Sequence, residues 1–290
     1  MKILITGANG MLAKEVKEKF ENGNEIILTD VAELDITNEQ AVMEFVTNLK
    51  PDYIINCAAY TAVDKAEENY ELADKINGDG PTNLAKAAKL AQAKLVHIST
   101  DYVFGGDLDL SKDYNEDDEK APVTAYGKTK LHGERGIESN MEEFYIFRTA
   151  WLYGVGGNNF VKTMTKLGST REELNVVADQ HGSPTYAKDL SDIIYQAIDK
   201  KIPYGIYNAT NQGNTTWYDF TKEILLQQGI ECKVNPVTTE EYIEMMKITQ
   251  AKRPINSQMS KSKLLEQGIE IPDWKDGLKR YLKEAKEIEQ

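Results

Sequence analysis

The sequence predicts an α/β fold, a Rossmann-like doubly wound parallel sheet followed by a smaller mixed C-terminal domain that binds substrate. Three observations support this prediction. A short strand at the start of the chain leads into a glycine-rich turn, Gly7 to Ala13. Strand and helix patterns then alternate up to about residue 150, which is typical of a parallel sheet with helices on both faces. Beyond Trp151 the alternation loosens, and five prolines separate shorter elements.

The first strand is Ile3–Ile5, an apolar run that is too short for a helix and rich in β-branched residues. The turn after it has the spacing Gly-x-x-Gly-x-x-Ala. Gly7 permits a tight turn, Gly10 lets a pyrophosphate approach the backbone, and Ala13 allows a helix to pack closely on the strand. A helix that begins near Gly10 directs free N–H groups at a phosphate. The turn therefore predicts a dinucleotide-binding site.

The second strand follows a helix over about 11–22 and covers Glu25 to Asp30, so that it ends in an acid. Asp30 lies twenty residues after Gly10. At this interval a strand-end carboxylate can accept a hydrogen bond from the adenosine ribose. A carboxylate at a strand end can also be only a cap, but the glycine turn upstream favours the ribose role.

The other elements of the first domain are assigned from hydrophobic periodicity and from helix start and stop signals. They are a helix over 37–50, a strand over 52–57, a helical region that reaches 92 and is interrupted near 78–81, a strand over 94–99, an exposed acidic loop over 105–123, a helix over 124–140 and a strand over 144–148. We expect residues 1–150 to bind the dinucleotide, with a returning segment near 173–200, and residues 151–290 to form an interleaved substrate-binding domain.

Composition and charge exclude several classes of function. The 290 residues are 41% hydrophobic and carry a net charge of −13, which argues against binding to nucleic acid or to anionic membrane surfaces. Cys57 and Cys232 are too few for a disulfide framework, so we expect reduced thiols in a cytoplasmic protein. Neither a signal peptide nor an apolar run of membrane-spanning length is recognisable in the sequence. His97 lies within an apolar strand and is predicted to be a hydrogen-bonded core histidine.

A pair of side chains indicates proton transfer. Tyr126 and Lys130 are four residues apart in a predicted helix, so they lie on one face of it. A tyrosine pKa near 10 is too high for efficient proton transfer at neutral pH, and a nearby ammonium can lower it. Thr100 is placed at the carboxyl end of the fourth strand, where open α/β sheets bind ligands. Its hydroxyl can hold a substrate carbonyl while Tyr126 protonates the oxygen.

Longer motifs extend over nearly the whole chain. They are Asn56–Glu67, Ser99–Phe104, Phe147–Trp151, Asn158–Phe160, Asp179–Gln180, Gly182–Thr185 and Lys252–Ser257. On these motifs the chain resembles the extended short-chain dehydrogenase/reductase family. Within that family it resembles the reductases that convert a dTDP-linked 4-keto-deoxysugar to dTDP-L-rhamnose for cell-surface polysaccharide.

The resemblance implies roles for individual residues. Tyr126 is the proton donor, and Lys130 activates it and holds the nicotinamide ribose. The residues implied to bind the dinucleotide are Gly7, Gly10, Met11, Leu12, Asp30, Asp35, Ile36, Ala59, Tyr60, Thr61, Tyr126 and Lys130. Those implied to contact the dTDP-sugar are Thr100, Asp101, Trp151, Asn159 and Arg253. The family uses NADPH, often with NADH tolerated, and a homodimer is expected.

Two alternatives remain open at this stage. One is another nucleotide-sugar enzyme of the same fold, an epimerase or a dehydratase. The other is a non-catalytic, NADP-binding regulatory subunit that resembles the methionine adenosyltransferase β subunit. Some relatives hold magnesium between subunits on glutamates, and Glu15 matches one such position. Lys188 stands where a second acid is expected, so no metal is predicted.

Overall fold

The structure is a computed structural model that describes residues 1–107 and 109–288. Its strands are β1 Lys2–Thr6, β2 Glu25–Thr29, β3 Tyr53–Asn56, β4 Lys94–Thr100, β5 Phe144–Thr149, β6 Leu152–Tyr153, β7 Glu173–Val177, β8 His181–Gly182, β9 Thr185–Tyr186, β10 Gly205–Asn208, β11 Thr215–Thr216 and β12 Lys233–Val237. Its α-helices are α1 Met11–Phe20, α2 Glu39–Leu49, α3 Val63–Glu68, α4 Tyr70–Asp74, α5 Gly80–Ala91, α6 Ala125–Asn140, α7 Phe160–Gly168, α8 Ala187–Asp199, α9 Trp217–Gln228, α10 Thr239–Met246, α11 Ser262–Glu266 and α12 Trp274–Ile288.

Six parallel strands form the central sheet in the order β2-β1-β3-β4-β5-β10. The chain passes from β1 to β2 on one side and then returns to place β3 on the other side of β1. Ligands bind in the crevice outside the carboxyl ends of the strands at such a switch point. The predicted fold class is therefore confirmed, and it places a binding crevice between β1 and β3.

Both faces of the sheet are buried, because alternate residues of each strand point to opposite faces. Ile3 and Ile5 of β1 join an apolar cluster that α1 and α8 cover, whereas Leu4 joins a cluster covered by α2 and α5. The interruption predicted near 78–81 is one turn of π-helix, Lys75–Asp79, which leads directly into α5. The core thus fixes where each strand ends and where its last side chains project.

The second half of the chain contributes to the central sheet and its helices as well as to a separate group of short strands and helices. α8 packs on α1, and β10 pairs with the outer edge of β5. No strand was predicted over 205–208, because the four residues of β10 are too few for periodicity to distinguish it. The remaining short strands pair two by two, with α7, α9 and α12 packed around an aromatic cluster.

A buried ion pair anchors the segment that was expected to be an exposed acidic loop. Arg148 on β5 donates to both carboxylate oxygens of Glu134 on α6, at 2.9 and 2.7 Å, and to the carbonyl of Glu116 at 2.9 Å. Glu116 in turn accepts from the backbone N–H of Asn208. Arg148 and Glu134 are fully buried, and Glu116 is 7% exposed. The described part of the segment is a loop, as predicted, but the prediction that it is exposed was wrong for Glu116.

Arg148→Met is expected to lower the free energy of unfolding by about 3–5 kcal/mol, because it leaves the Glu134 carboxylate buried without a partner. Urea unfolding of the variant measures the change as a lower midpoint at an unchanged slope. Arg135→Met is the matched control, since Arg135 is an exposed arginine on α6, next to Glu134. A loss below about 1 kcal/mol for Arg148→Met would contradict the prediction.

Candidate active site

The turn after β1 has the geometry that a dinucleotide pyrophosphate needs. Gly7 has a φ of +66°, and a Cβ at this position would lie 2.6 Å from the backbone nitrogen of Ala58. Only glycine fits there. Gly10 is the N-cap of α1 and offers no side-chain cap to the first turn of that helix. The N-terminus of α1 is therefore left available to an anion at the switch point.

A cavity of about 490 Å³ opens at this point. It is lined by Gly10–Ala13, Cys57, Ala59, Thr61, Val63, Ile98–Tyr102, Tyr126, Lys130, Thr149–Leu152 and Gly156–Asn158. Among the described residues, Ser99 Oγ and Thr149 Oγ1 are buried in its lining without a hydrogen-bond partner. Unpaired buried hydroxyls at the end of a glycine cradle fit a polar ligand such as a dinucleotide. Most of the predicted cofactor residues thus meet in one cavity.

Asp30 lies beside the glycine turn, as the sequence analysis expected. Its Oδ2 accepts from the backbone N–H of Asn9 at 2.9 Å, and its Oδ1 accepts from that of Val31 at 2.8 Å. The side chain is half-buried at the end of β2. This carboxylate is therefore in position to meet the ribose of a dinucleotide whose pyrophosphate lies at Gly10.

Besides Gly7 and Asp30, three predicted cofactor residues do not line the cavity. Asp35 is exposed, and its Oδ1 accepts from the backbone N–H and the hydroxyl of Thr37. Ile36 packs in the core against Gly80. Tyr60 is held by Asn77, which exchanges two hydrogen bonds with its backbone. Their predicted contacts with the dinucleotide remain predictions.

The predicted proton donor and the strand-end hydroxyl are brought together. Tyr126 and Thr100 line the same cavity, and Thr100 lies close enough to lower the pKa of Tyr126. Thr100 Oγ1 donates to Asp101 Oδ1 at 2.9 Å, and the other oxygen of Asp101 accepts from Ser257. The Tyr126 ring meets Tyr102 edge to face, with ring centroids 5.5 Å apart. A substrate carbonyl at this point meets a hydroxyl and a phenol at once.

The electrostatics of the pair favour a protonated phenol. Burial raises the pKa of Tyr126 above its ordinary value, Thr100 opposes this shift, and Asp101 and Tyr102 add to it. Burial likewise raises the pKa of Asp101 to about 6. A general acid must carry its proton into the reaction. The site without its cofactor therefore holds Tyr126 in the protonated state that a carbonyl reduction requires.

The side chain of Lys130 points toward β4, where the sequence analysis did not place it. Its Nζ donates to the carbonyl oxygen of Ile98 at 2.7 Å and lies 3.1 Å from Nε2 of His97. Lys130 is 1% exposed and His97 is fully buried. The predicted lowering of the Tyr126 pKa by Lys130 is not present in this arrangement, since this pKa is set by burial, by Thr100 at the end of β4, and by Asp101 and Tyr102 directly after it. His97 is the hydrogen-bonded core histidine that the sequence predicts.

A second cavity, of about 480 Å³, adjoins the first. Trp151 lines both cavities and stacks on Trp217, with ring centroids 3.6 Å apart and planes at 14°. Arg253 also lines the second cavity and forms a bidentate ion pair with Asp64 at 2.7 and 2.6 Å. Its Nη1 is buried without a partner among the described residues. An aromatic wall and a spare guanidinium N–H suit a nucleoside diphosphate.

Asn159 does not contribute to either cavity. It is the N-cap of α7, where its Oδ1 accepts from the backbone N–H of Lys162 at 3.0 Å. Its Nδ2 donates to the carbonyl of Gly154 at 2.7 Å. Both polar atoms of the side chain are therefore engaged in local structure, and contact with the substrate diphosphate remains a prediction.

Several residues of the site were missed from the sequence. Trp217 and Gln180 bound the second cavity, and Gln180 Oε1 accepts from the Trp217 ring at 3.2 Å. Thr216, the N-cap of α9, places Trp217 at the first position of that helix. The pattern of a capping threonine before a tryptophan was the available signal, but nothing in the sequence shows which cavity this helix start faces.

An acidic cluster near α1 contains a lysine. Carboxylate oxygens of Glu15, Glu18 and Glu284 lie within 4.8 Å of one another. Lys188 places its ammonium among them, 3.2 Å from Glu284 and 3.5 Å from Glu18. An ammonium supplies positive charge but cannot be a metal ligand. The lysine thus offsets one of the three negative charges, and the absence of a metal stays a prediction.

Comparison with known proteins agrees with this geometry. A family model described as the RmlD substrate binding domain matches residues 1–287. The chain is 39% identical to a dTDP-4-dehydrorhamnose reductase of Escherichia coli K12, over 98% of each chain. Its structure is similar to that of a dTDP-4-dehydrorhamnose reductase from Clostridium acetobutylicum (TM-score 0.93, 49% identity, 99% of this chain and 100% of that one). It is also similar to the enzyme of Bacillus anthracis in complex with NADP (TM-score 0.92, 43% identity, 98% and 99%). Within the described residues, no helix is both long and apolar enough to cross a membrane.

Proposed function

This chain belongs to the dTDP-4-dehydrorhamnose reductase family, and we propose that it reduces the C4 keto group of dTDP-4-dehydro-L-rhamnose to give dTDP-L-rhamnose. NADPH is the cofactor, and NADH is tolerated. The observation that carries the proposal is that Tyr126 and Thr100 line one cavity beside the glycine turn, and that an aromatic cavity adjoins it. This arrangement places an acid close to where cofactor and substrate must meet for a carbonyl reduction.

The roles of the residues follow from this placement. Thr100 holds the keto oxygen, and Tyr126 gives it a proton. The dinucleotide, when bound, supplies the hydride that the carbonyl carbon accepts. Trp151 covers the sugar, and the unpartnered Nη1 of Arg253 faces the diphosphate. The hydride adds to C4 and the proton to its oxygen, so the ketone becomes an alcohol and the reduced nicotinamide becomes oxidised.

The test is the oxidation of NADPH with the keto-sugar generated in situ from dTDP-glucose by the preceding dehydratase and epimerase. Turnover that depends on the keto-sugar supports the reductase. NADPH binding without turnover would instead support the regulatory subunit. Release of a C4 epimer from a dTDP-hexose without net oxidation of NADPH would support an epimerase.

Asp30→Ala is expected to shift the cofactor preference toward NADPH, because Asp30 accepts from a free 2′-hydroxyl and repels a 2′-phosphate. Residues 8–13 and 31–36 contain no arginine, and Lys14 already lies inside α1. We therefore expect the wild-type ratio of kcat/KM between the two cofactors to stay below about a hundredfold, roughly 3 kcal/mol. Steady-state kinetics with both cofactors measure the ratio.

The matched control for this substitution is Glu25→Ala, which removes an exposed carboxylate at the opposite end of the same strand. It should leave the ratio unchanged. An unchanged ratio in Asp30→Ala as well would show that Asp30 does not meet the ribose, and the predicted adenosine site would then be wrong.

The proposed reaction is consistent with a cytoplasmic location. Both cysteines are free, which fits the cytoplasm, where reduced nicotinamide and dTDP-sugars are present. The homodimer stays a prediction, and light scattering on the purified protein decides it.

A further inference from the structure

A chain of four buried polar side chains runs from the carboxyl ends of β1 and β3 across the middle of β4 to Lys130 in the active site. Thr6 Oγ1 donates to Asn56 Oδ1 at 2.7 Å. Asn56 Nδ2 lies 3.0 Å from Nδ1 of His97, and His97 Nε2 lies 3.1 Å from Nζ of Lys130. None of the four is more than 1% exposed. Solvent therefore cannot relieve a mismatch of donors and acceptors along the chain.

The backbone fixes which way the Asn56 amide points. The N–H of Ala58 also donates to Asn56 Oδ1, at 3.1 Å. A backbone N–H can only donate, so the atom that faces it must be the oxygen, and the amide nitrogen must face His97. An amide nitrogen is itself only a donor. His97 Nδ1 therefore carries a lone pair, and the proton of the neutral ring is on Nε2.

This tautomer of His97 determines the protonation state of Lys130. The Nε2–H of His97 points at Lys130 Nζ, and an ammonium has no lone pair to accept it. A neutral amine has one, and it can still donate an N–H to the carbonyl of Ile98 at 2.7 Å. The hydrogen bonds are all satisfied only when Lys130 is an amine.

The charged groups around Lys130 are compatible with a neutral amine. Glu134, one turn further along α6, favours the ammonium, but Arg148 already engages both of its carboxylate oxygens. Burial lowers the pKa of Lys130 to about 8. Burial holds the pKa of His97 well below its ordinary value, so the ring stays neutral. Tyr126, on the same face of α6, is a neutral phenol.

We propose that His97 is a positioning residue that keeps Lys130 in its amine form in the free enzyme, and that Lys130 takes up one proton from solvent when the dinucleotide binds. This rests on the proposed function, since Lys130 lines the cavity assigned to the dinucleotide. A ribose hydroxyl there offers an acceptor oxygen, and the pyrophosphate brings negative charge. Both favour the ammonium, which thus forms beside Tyr126 only in the loaded enzyme.

Isothermal titration calorimetry with NADH tests the proposal, at about pH 8.5 in two buffers of different ionisation enthalpy. NADH is the probe because the 2′-phosphate of NADPH titrates near pH 6. We expect the wild type to take up at least about 0.7 proton per NADH bound. Because binding takes up a proton, affinity must fall as the pH rises, by up to about tenfold per pH unit above pH 8.

His97→Gln separates this role from simple packing. A glutamine can turn its carbonyl oxygen toward Lys130 and so stabilise the ammonium before the cofactor arrives. We expect proton uptake to fall by at least about half, and the pH dependence of NADH affinity to flatten. His132→Gln is the matched control, because His132 is an exposed histidine on α6 that pairs with Asp74. Its proton uptake should equal that of the wild type.

The outcomes separate the two proposals. If neither NADH nor NADPH binds, the proposed function fails. If NADH binds without proton uptake in the wild type, or if His97→Gln keeps the wild-type uptake, the inference about His97 is overturned and the reductase function stands. If His97→Gln does not fold, the wild-type measurement alone decides.

Discussion

Tyr126→Phe is expected to lower kcat about 1,000-fold, within the range that a general acid contributes to an enzymatic rate. The variant keeps the ring, and with it the edge-to-face contact with Tyr102. It loses only the hydroxyl, which lies beside Thr100 in the lining of the cavity. Since the proton moves only in the transition state, NADPH affinity should stay within a few-fold of the wild type. Turnover with the keto-sugar and the dissociation constant for NADPH, measured on one preparation, check both parts.

Tyr70→Phe is the control for this substitution, because Tyr70 is an exposed tyrosine on α4. It should retain full activity. If Tyr126→Phe kept more than about a tenth of kcat, the proton would have to come from another group. Asp101 would be the first to examine, since burial raises its pKa to about 6 and Thr100 connects it to the same point.

The pKa of Tyr126 also fixes the sign of the pH dependence. Burial raises it, so the phenol remains protonated through the neutral range in the cofactor-free site. Reduction therefore keeps its acid at neutral pH and loses it only as the pH rises through the pKa of the loaded enzyme. Reaction in the opposite direction needs the phenolate and should be favoured at higher pH.

Much of the fold could be predicted because its signals are local. The buried strands of the sheet are short β-branched runs, and the turn at Gly7 needs a positive φ that only glycine adopts easily. The returning strand Gly205–Asn208 was missed, since four residues contain too little periodicity. The burial of Glu116 was missed because it depends on Arg148, which is 32 residues away and on a different element.

The same distinction holds in the active site. Tyr126 and Lys130 could be paired from their spacing on one helix, and Thr100 from its place at the end of a strand. The direction of Lys130 could not be predicted, because it depends on a tautomer of His97 that Asn56 sets from a neighbouring strand. The stack of Trp151 on Trp217 joins residues 66 positions apart through short strands that carry no periodic signal. Residue spacing therefore predicts which side chains share an element, whereas their directions depend on contacts between elements.

Lys130→Met is expected to lower kcat/KM with NADPH about 100-fold and to change the pH profile. In the loaded wild type the ammonium favours the phenolate of Tyr126, so activity falls as the pH rises through the lowered pKa. Methionine removes this charge while filling a similar volume among buried neighbours. The acid then keeps its proton to higher pH, and the basic limb of kcat must move upward. The profile of kcat from about pH 6 to pH 10 measures this shift.

Lys128→Met provides the comparison, because Lys128 is an exposed lysine two residues away on the same helix. It should change neither the rate nor the limb. A large loss of rate in Lys130→Met with an unmoved limb would leave Lys130 only the task of positioning the ribose. That result would also mean that the proton which Lys130 takes up when the cofactor binds does not change the pKa of Tyr126. The two groups, four residues apart on α6, would then act independently, and the high pKa that burial gives the phenol would alone govern proton transfer.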